Sequence, residues 1–144
     1  MHKLADEMLA DVSIPFVHIA DATAQAIAAK GLSSPGLMAT KFTMEQSFYT
    51  DRLRAAGLTP IIPNDADRAR THDIIYNELC KAVLRPESEA AYVAIADRLT
   101  EQGADSLILG CTEVGLLLNE TYVSVPVFDT TLIHCRAVLD LALA

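Results

Sequence analysis

Short apolar runs alternate with longer amphipathic stretches along the whole 144-residue chain. Compact apolar runs are typical of buried strands, whereas apolar positions spaced three and four residues apart are typical of helices. Strands that are separated by helices indicate βαβ units around a mainly parallel sheet. The pattern therefore predicts an α/β fold with five strands, which cover residues 14–19, 36–40, 58–62, 106–109 and 125–128.

The predicted helices begin at polar capping side chains and end at glycines. Asp, Asn and Thr cap helix N-termini, glycine commonly follows the last turn, and proline fits the first turn. On this basis Gly31, Gly57 and Gly103 each end a helix, and Pro86 lies in the first turn of another. The predicted helices are 3–11, 22–30 capped by Asp21, 44–56 capped by Thr43, a long helix from Asn64 or Asp65 through Val83, 86–102, 112–118, and 131–143 capped by Asp129 or Thr130.

The most informative stretch is 107–115, Leu-Ile-Leu-Gly-Cys-Thr-Glu-Val-Gly. It places Cys111 at the carboxyl end of a predicted strand and at the amino end of a predicted helix. The N–H groups and dipole of a helix N-terminus favour anions, so a thiol there is expected to have a lowered pKa and to serve as a nucleophile or base. The alternative is a buried cysteine that only packs in a tight turn, because free cysteine is among the most buried residue types.

Two further polar clusters follow predicted strands, at the edge where parallel sheets bind ligands. Residues 40–43, Thr-Lys-Phe-Thr, offer two hydroxyls and the Lys41 ammonium, which suit a carboxylate. Alternatively, Thr43 only caps a helix and Lys41 is solvated. The second cluster is Asp129-Thr130-Thr131. Because these clusters and Cys111 are expected at the same edge of the sheet, together they favour a small anionic substrate.

Composition excludes several classes of protein. A net charge of −8 and a pI near 4.8 exclude a nucleic-acid binder, which needs a basic face. No apolar run reaches the roughly 18 residues of a membrane span, and no apolar signal-peptide core follows Met1. Three cysteines without a close pair predict a reducing, cytoplasmic location without disulfides. The spacings of zinc ligands are missing, so no metal is expected.

Four segments together resemble the aspartate/glutamate racemase family, and the resemblance extends over essentially the whole chain. The segment 110–113, Gly-Cys-Thr-Glu, follows an apolar strand that is preceded by Gln-Gly-Ala-Asp at 102–105 and is similar to the family's second signature. The other segments are 36–49 (Gly-Leu-Met-Ala-Thr-Lys-Phe-Thr-Met-Glu-Gln-Ser-Phe-Tyr), 73–79 (Asp-Ile-Ile-Tyr-Asn-Glu-Leu) and 125–134 (Val-Pro-Val-Phe-Asp-Thr-Thr-Leu-Ile-His).

The resemblance implies a cofactor-independent racemase in which two α/β lobes close over an aspartate or glutamate substrate. Each lobe supplies one cysteine. One thiolate removes the α-proton, and the other thiol returns a proton from the opposite face. Because the α-proton is weakly acidic, the site must stabilise the carbanion through its carboxylate and exclude water. By resemblance, Cys111 is the acid/base of the second lobe.

The resemblance also implies a set of substrate-binding residues. Thr112 donates its N–H and hydroxyl to the α-carboxylate, and Thr40 and Thr43 line the same pocket. Either Lys41 or Lys81 neutralises the distal carboxylate, although Lys81 is equally well explained as a solvated helix residue. Glu113 stands where relatives that act on glutamate often have histidine, which favours aspartate or broad specificity; alternatively, it is a first-turn carboxylate stabilised by a helix dipole.

The chain departs from the family at its start. Family members carry the first catalytic residue in a segment Cys/Thr-x-Asn-Thr-Met-His-Lys, and this chain starts at Met-His-Lys. We therefore expect residues 1–35 and 121–144 to be the remnant of the first lobe and 36–120 to be a nearly complete second lobe. His2 is expected to be a solvated terminal residue rather than a replacement base.

An incomplete first lobe has two expected consequences. Two-base racemisation by the isolated chain should be lost or severely impaired. Apolar strand edges around Val17 and Val127 should promote a homo-oligomer. Two alternatives stay open: a non-catalytic module that binds small carboxylates, and a decarboxylase or maleate isomerase of the same fold.

Overall fold

The computed structural model describes residues 2–144, apart from the side chain of residue 6. Within that range, helices surround a small sheet. The helices are α1 (Ala5–Leu9), α2 (Ile19–Ala29), α3 (Lys41–Glu45), α4 (Ser47–Ala55), α5 (Asp65–Asn77), α6 (Pro86–Glu101) and α7 (Thr130–Leu143). The strands are β1 (Pro35–Met38), β2 (Ser106–Leu109) and β3 (Val127–Asp129), and short 3-10 turns cover His2–Leu4, Leu79–Lys81 and Val114–Leu116.

The three strands form a parallel sheet in the order β1-β2-β3. Side chains alternate between its faces, so Leu107 and Leu109 pack in one core cluster while Ile108 packs in the other. Helices α5 and α6 cover the first face through residues such as Ile75 and Leu99. Helices α2 and α4 cover the second face. Burial of both faces explains the apolar side chains that fill most strand positions, and the parallel pairing confirms the predicted α/β fold with a parallel sheet.

Several helix ends are confirmed. The Asn64 side chain accepts the N–H of Asp67 at 3.0 Å and caps α5. The Asp129 carboxylate accepts two N–H groups of α7, at 2.9 and 3.0 Å. Gly57 and Gly103 lie just beyond helices at φ values of +85° and +99°, where a residue with a side chain would be strained.

Two predicted strands were wrong. Residues 14–17 carry no regular structure, and α2 begins at Ile19 with His18, rather than Asp21, as its cap. Ile14 is 72% exposed, and among the described residues no strand pairs with this apolar run. Residues 58–62 run beside β1 but form only a single bridge, between Gly36 and Ile61.

Three predicted helices are also different from expectation. The long helix predicted through Val83 ends at Asn77, before the 3-10 turn Leu79–Lys81. The helix predicted for 44–56 is divided at Gln46, whose backbone is extended, and Thr40 rather than Thr43 caps the first part. The helix predicted for 112–118 is only the three-residue 3-10 turn Val114–Leu116. This last difference matters for the thiol of Cys111, because so short a turn has little dipole.

Helices α2 and α7 pack against each other, and β3 joins β1 and β2 in one sheet. The division into 1–35 with 121–144 and 36–120 stays a prediction.

Several apolar residues near the end of α7 are exposed, among them Leu139 at 56% and Leu143 at 78%. In the described residues, none of the helices combines the length and apolar character that crossing a membrane requires.

Candidate active site at the carboxyl edge of the sheet

Strands β1 and β2 end side by side. Their register pairs Met38 with Leu109, and the Gly110 N–H donates to the Met38 carbonyl at 2.8 Å. A Cβ placed on Gly110 would lie 2.9 Å from the Cβ of Ala39, which is too close for any side chain. Glycine is therefore required at position 110, because the backbone segments that follow β1 and β2 remain in contact there, immediately before Thr40 and Cys111.

The Thr40 hydroxyl caps the short helix that follows β1. Its Oγ1 accepts the Thr43 N–H at 3.4 Å and lies 3.2 Å from the Thr43 Oγ1. At the end of β3, the Thr130 hydroxyl donates to the Leu109 carbonyl at 2.8 Å. Hydroxyl groups from the ends of β1 and β3 thus flank the end of β2.

Cys111 is half-buried and hydrogen-bonded to a carboxylate. Its Sγ lies 3.0 Å from Glu113 Oε2, and the Thr112 hydroxyl donates to the same oxygen at 2.6 Å. Burial raises the pKa of the Cys111 thiol to about 12, and the Glu113 carboxylate contributes to the rise. The two donors in turn lower the pKa of Glu113. The expectation of a readily ionised thiol was wrong for this state, because burial and a neighbouring anion outweigh a turn with little dipole.

A cleft of about 470 Å³ opens beside these strand ends. We call Thr43, Gly110 and Thr130 its strand-end wall, and His2, Lys3 and Leu4, which face the same cleft, its N-terminal wall. Its remaining lining residues are Ile19, Phe42, Phe48 and Tyr49. The volume is within the range of small-molecule sites.

The structure brings together only some of the predicted site residues. Thr43 lines the cleft, and Cys111 directly follows the lining residue Gly110. The cleft lining does not include Cys111 itself, Thr40, Thr112 or Glu113, although all four lie at the same sheet edge.

The two predicted lysines lie outside the cleft lining. The Lys41 ammonium is 3.8 Å from Glu45 Oε1, on an exposed face. The Lys41 N–H donates to His72 Nδ1 at 3.3 Å. Lys81 is exposed at the end of the 3-10 turn after α5. The substrate-binding role expected for one of these lysines stays a prediction.

Sequence reasoning missed a cluster of three histidines behind the N-terminal wall. The rings of His18 and His134 lie 4.7 and 5.2 Å from the ring of His2, between centroids. His18 Nδ1 accepts the Ala20 N–H at 3.1 Å, so its Nε2 carries the proton and donates to the His2 carbonyl at 3.1 Å. His134 Nε2 donates to the Val17 carbonyl at 2.9 Å.

These contacts show that His2 is not the solvated terminal residue that was expected. Burial, followed by the charges of His18 and His134, lowers the pKa of His2 to about 4, so its ring is neutral at pH 7. Its Nδ1 is buried without a hydrogen-bond partner. No local signal could have revealed the cluster, because its members are distant in sequence and share no motif. Among the described residues, no three His, Cys, Asp or Glu side chains are arranged to hold a metal ion.

Comparison with known proteins shows which family the chain resembles. A model of the family Asp/Glu/hydantoin racemase matches residues 1–138. A crystal structure from Yersinia pestis, assigned to the Asp/Glu racemases, is 46% identical with a TM-score of 0.96, and the match covers 100% of this chain and 63% of that one. The structure of an aspartate racemase homologue from Pyrococcus horikoshii is 35% identical with a TM-score of 0.91, covering 99% and 63%.

A protein from the 3′ region of pnlA in Pectobacterium carotovorum subsp. carotovorum is 33% identical over 107 residues, which are 72% of this chain and 68% of that protein. The chain spans 63% of the length of each of the two solved relatives, which is less than two thirds. The family match nevertheless extends over nearly all of its residues, including Thr40, Cys111 and Thr130. The chain belongs to the Asp/Glu/hydantoin racemase family.

Proposed function

We propose that this chain carries one half of the site of a cofactor-independent amino-acid racemase that acts on aspartate or glutamate. The observation that carries the proposal is the position of Cys111. Its thiol is hydrogen-bonded to a carboxylate, at the carboxyl edge of the sheet, one residue from the cleft. The two solved relatives are described as an Asp/Glu racemase and an aspartate racemase homologue, which supports the same substrate class.

The raised pKa indicates which role Cys111 takes in this state. A thiol with a pKa of about 12 is protonated at pH 7, so Cys111 starts as the acid. The group on the opposite face of the substrate removes the α-proton and keeps it, which leaves the α-carbanion. Cys111 then donates its S–H proton to that carbanion and becomes a thiolate, and the new C–H bond forms on the face of the substrate that meets the sulfur. The α-ammonium group of the substrate brings a positive charge to the sulfur and favours the thiolate needed for the reverse step.

Recognition of the α-carboxylate falls to the polar groups around the strand ends. Thr43 already lines the cleft, and Thr40 lies next to it. Thr112 contributes in this proposal only after its hydroxyl leaves Glu113, to which it now donates at 2.6 Å. Glu113 then keeps the thiol oriented. Hydrogen bonds that strengthen as negative charge moves onto the carboxylate stabilise the carbanion.

A two-base racemase needs a second proton-transfer group on the opposite face of the substrate. By the family resemblance, that group precedes the Met-His-Lys segment of the N-terminal wall. We propose that Cys111 in its thiolate form, which the substrate ammonium favours, removes the α-proton and returns a solvent-derived proton to the same face, so that this half of the site exchanges the α-hydrogen. Racemisation requires both proton-transfer groups of the complete site. A cytoplasmic location and association of several copies belong to the same proposal.

The experiment is incubation of the chain with L-aspartate and with L-glutamate in deuterated water, followed by NMR of the α-position and chiral analysis. We expect α-deuterium to be incorporated by the natural chain and incorporation to be abolished in Cys111→Ala. Cys135→Ala, which changes an exposed cysteine of α7, is the matched control and should keep the exchange. Exchange that continues in Cys111→Ala would contradict the assignment of the acid/base.

The raised pKa of Cys111 also favours a second candidate, a module that binds small carboxylates without turning them over. A thiol that stays protonated cannot remove an α-proton. Binding of aspartate without α-exchange, equal in the natural chain and in Cys111→Ala, would support this candidate. Assays with malonates and maleate in parallel test the decarboxylase and isomerase alternatives.

A further inference from the structure

We propose that Arg68 is a positioning residue, which holds the short helix α3 in place beside the cleft. Helix α3 supplies two residues of the cleft lining, Phe42 and Thr43. This role rests on the proposed function, in which Thr43 helps to bind the α-carboxylate of the substrate. Arg68 itself lies in α5, outside the cleft lining, and acts through the helix that it holds.

Helix α3 is too short to keep its position by itself. It has five residues, and isolated helices shorter than about 12 residues are marginal in water. The extended backbone of Gln46 separates it from α4, so the longer helix does not continue into it. Met44 anchors one side of α3 in the core. The rest of its position must come from contacts with neighbouring elements.

Helix α5 contacts α3 at both ends. At the start of α3, the Lys41 N–H donates to His72 Nδ1 at 3.3 Å. At its end, Arg68 Nε donates to Glu45 Oε1, also at 3.3 Å. The partners lie 31 and 23 positions apart in sequence, so each contact depends on the folded chain. Of the two, the Arg68 contact joins opposite charges and is therefore the stronger.

The Arg68 guanidinium is held in one orientation. Its Nη1 donates to the Pro63 carbonyl at 2.8 Å, and its Nη2 donates to Asp65 Oδ1 at 2.6 Å. The side chain is only 20% exposed, so solvent screens its contacts less than those of a typical surface pair. Because a guanidinium is planar and its N–H directions are fixed, the bonds to Pro63 and Asp65 direct Nε toward Glu45.

The part of α5 that carries Arg68 is itself anchored. The neighbouring Asp67 carboxylate accepts two hydrogen bonds from Arg98 of α6, at 2.8 and 2.6 Å. Such a bidentate pair fixes geometry as well as adding energy. Helix α6 in turn packs on the sheet through residues such as Leu99. Arg68 therefore ties α3 to the same sheet whose strand β2 ends at Cys111.

The experiment measures KM and the saturating rate of α-hydrogen exchange with L-aspartate for the natural chain, Arg68→Gln and Glu45→Gln. A partly exposed ion pair is weak, so we expect KM to rise about two- to fivefold in both variants. The saturating rate should change by less than roughly twofold, because Cys111 follows β2 rather than α3. The double variant should resemble either single variant, since both remove the same contact.

Arg54→Gln is the matched control. It makes the same change in charge at an arginine whose partner, Asp51, lies in its own helix at 3.1 Å. KM should stay at the value of the natural chain. A rise in KM that is equal in Arg54→Gln and Arg68→Gln would overturn the inference, because loss of positive charge alone would then explain it.

Amide hydrogen exchange gives a readout that does not depend on activity. The N–H groups of Met44 and Gln46 donate to carbonyls one turn earlier, at 3.0 and 3.2 Å. Both should exchange faster in Arg68→Gln and in Glu45→Gln, because α3 opens more often when its end is released. Arg54→Gln should leave their exchange unchanged.

The outcomes separate this inference from the proposed function. If the natural chain does not exchange the α-hydrogen, the proposed function fails, and amide exchange still shows whether Arg68 holds α3. Unchanged KM and amide exchange in Arg68→Gln, even with a lower melting temperature, would overturn the role of Arg68. If Arg68→Gln does not fold, Glu45→Gln makes the same test from an exposed position.

Discussion

The two walls of the cleft are built in opposite ways. The strand-end wall is local: its residues follow directly from the ends of strands, and Thr40, Thr43 and Cys111 lie within a few residues of them. The N-terminal wall is held by distant parts of the chain, since the His134 bond to Val17 joins residues 117 positions apart. A candidate acid/base cysteine can therefore be recognised from its neighbours in sequence, whereas the groups that line the cleft beside it require the folded molecule.

The walls also differ in their electrostatics. The strand-end wall adjoins an anionic group, Glu113, which together with burial keeps Cys111 protonated. The N-terminal wall carries the Lys3 cation and a set of imidazoles that oppose further positive charge on His2.

The largest expected effect comes from breaking the strand-end wall at its closest contact. Gly110→Ala places a Cβ 2.9 Å from Ala39 Cβ and 3.2 Å from a methyl group of Leu37. Overpacking of this kind should lower the free energy of unfolding by about 2–3 kcal/mol, as measured by urea denaturation. Gly115→Ala is the control, because its nearest neighbour outside the adjoining chain lies at an ordinary 3.5 Å. Equal stability of the two variants would contradict the close approach of the strands.

An intermediate effect is expected when the N-terminal wall is acidified. The pKa of His2 is about 4 in the folded chain, against 6.5 for a free histidine, so the unfolded chain binds the proton first. Stability should therefore fall as the pH decreases from about 6.5 to 4, and be unaffected by His2 above that window. Because His2 is partly exposed, the slope stays below the full linkage value of about 1.4 kcal/mol per pH unit.

Thermal unfolding across this pH range provides the measurement. His2→Gln should flatten the acid side of the stability curve. His72→Gln, which changes a histidine outside the cluster, should leave it unchanged. A curve for His2→Gln that is as steep as that of the natural chain would show that the cluster does not oppose protonation.

The smallest expected effect concerns the negative charge of Glu113 beside the Cys111 sulfur. Glu113→Gln removes the anion beside the sulfur, so the pKa of Cys111 should fall, while burial keeps it above that of a free thiol. Alkylation of Cys111 by iodoacetamide near pH 9, followed by peptide mass spectrometry, should become about three to ten times faster. Glu120→Gln makes the same change in net charge at an exposed site and should have no effect. A slower reaction in Glu113→Gln would mean that the carboxylate activates the thiol instead.

Elements with strong local signals were predicted correctly. Strand β2 is apolar from Leu107 to Leu109 because both of its faces are covered. The caps at Asn64 and Asp129 depend on hydrogen bonds within three residues. The α/β fold and its parallel sheet follow from such signals. The run at 14–19 looked the same in sequence but pairs with no strand in the part of the chain that the structure describes, so its apolar pattern gave a wrong assignment.

The candidate site residues show the same difference between properties that depend on sequence neighbours and properties that depend on the tertiary structure. The position of Cys111 at the end of β2 was predictable because the strand and the glycine after it are adjacent in sequence. Its ionisation was not, because burial and the Glu113 side-chain conformation are tertiary properties. The cleft position of Lys3 was likewise hidden, since it depends on where residues of α2 and α7 place the turn that carries it.

The bond between His134 and the Val17 carbonyl has a consequence for synthesis of the chain. The ribosome synthesises Val17 long before α7. The Val17 carbonyl therefore cannot accept its hydrogen bond until His134, 117 residues later in the chain, has been synthesised. A nascent chain that stops before His134 would have its sheet edge in place but no fixed cover above it. The contacts of His134 with Val17 and with the ring of His2 would then form only after residue 134 had been added.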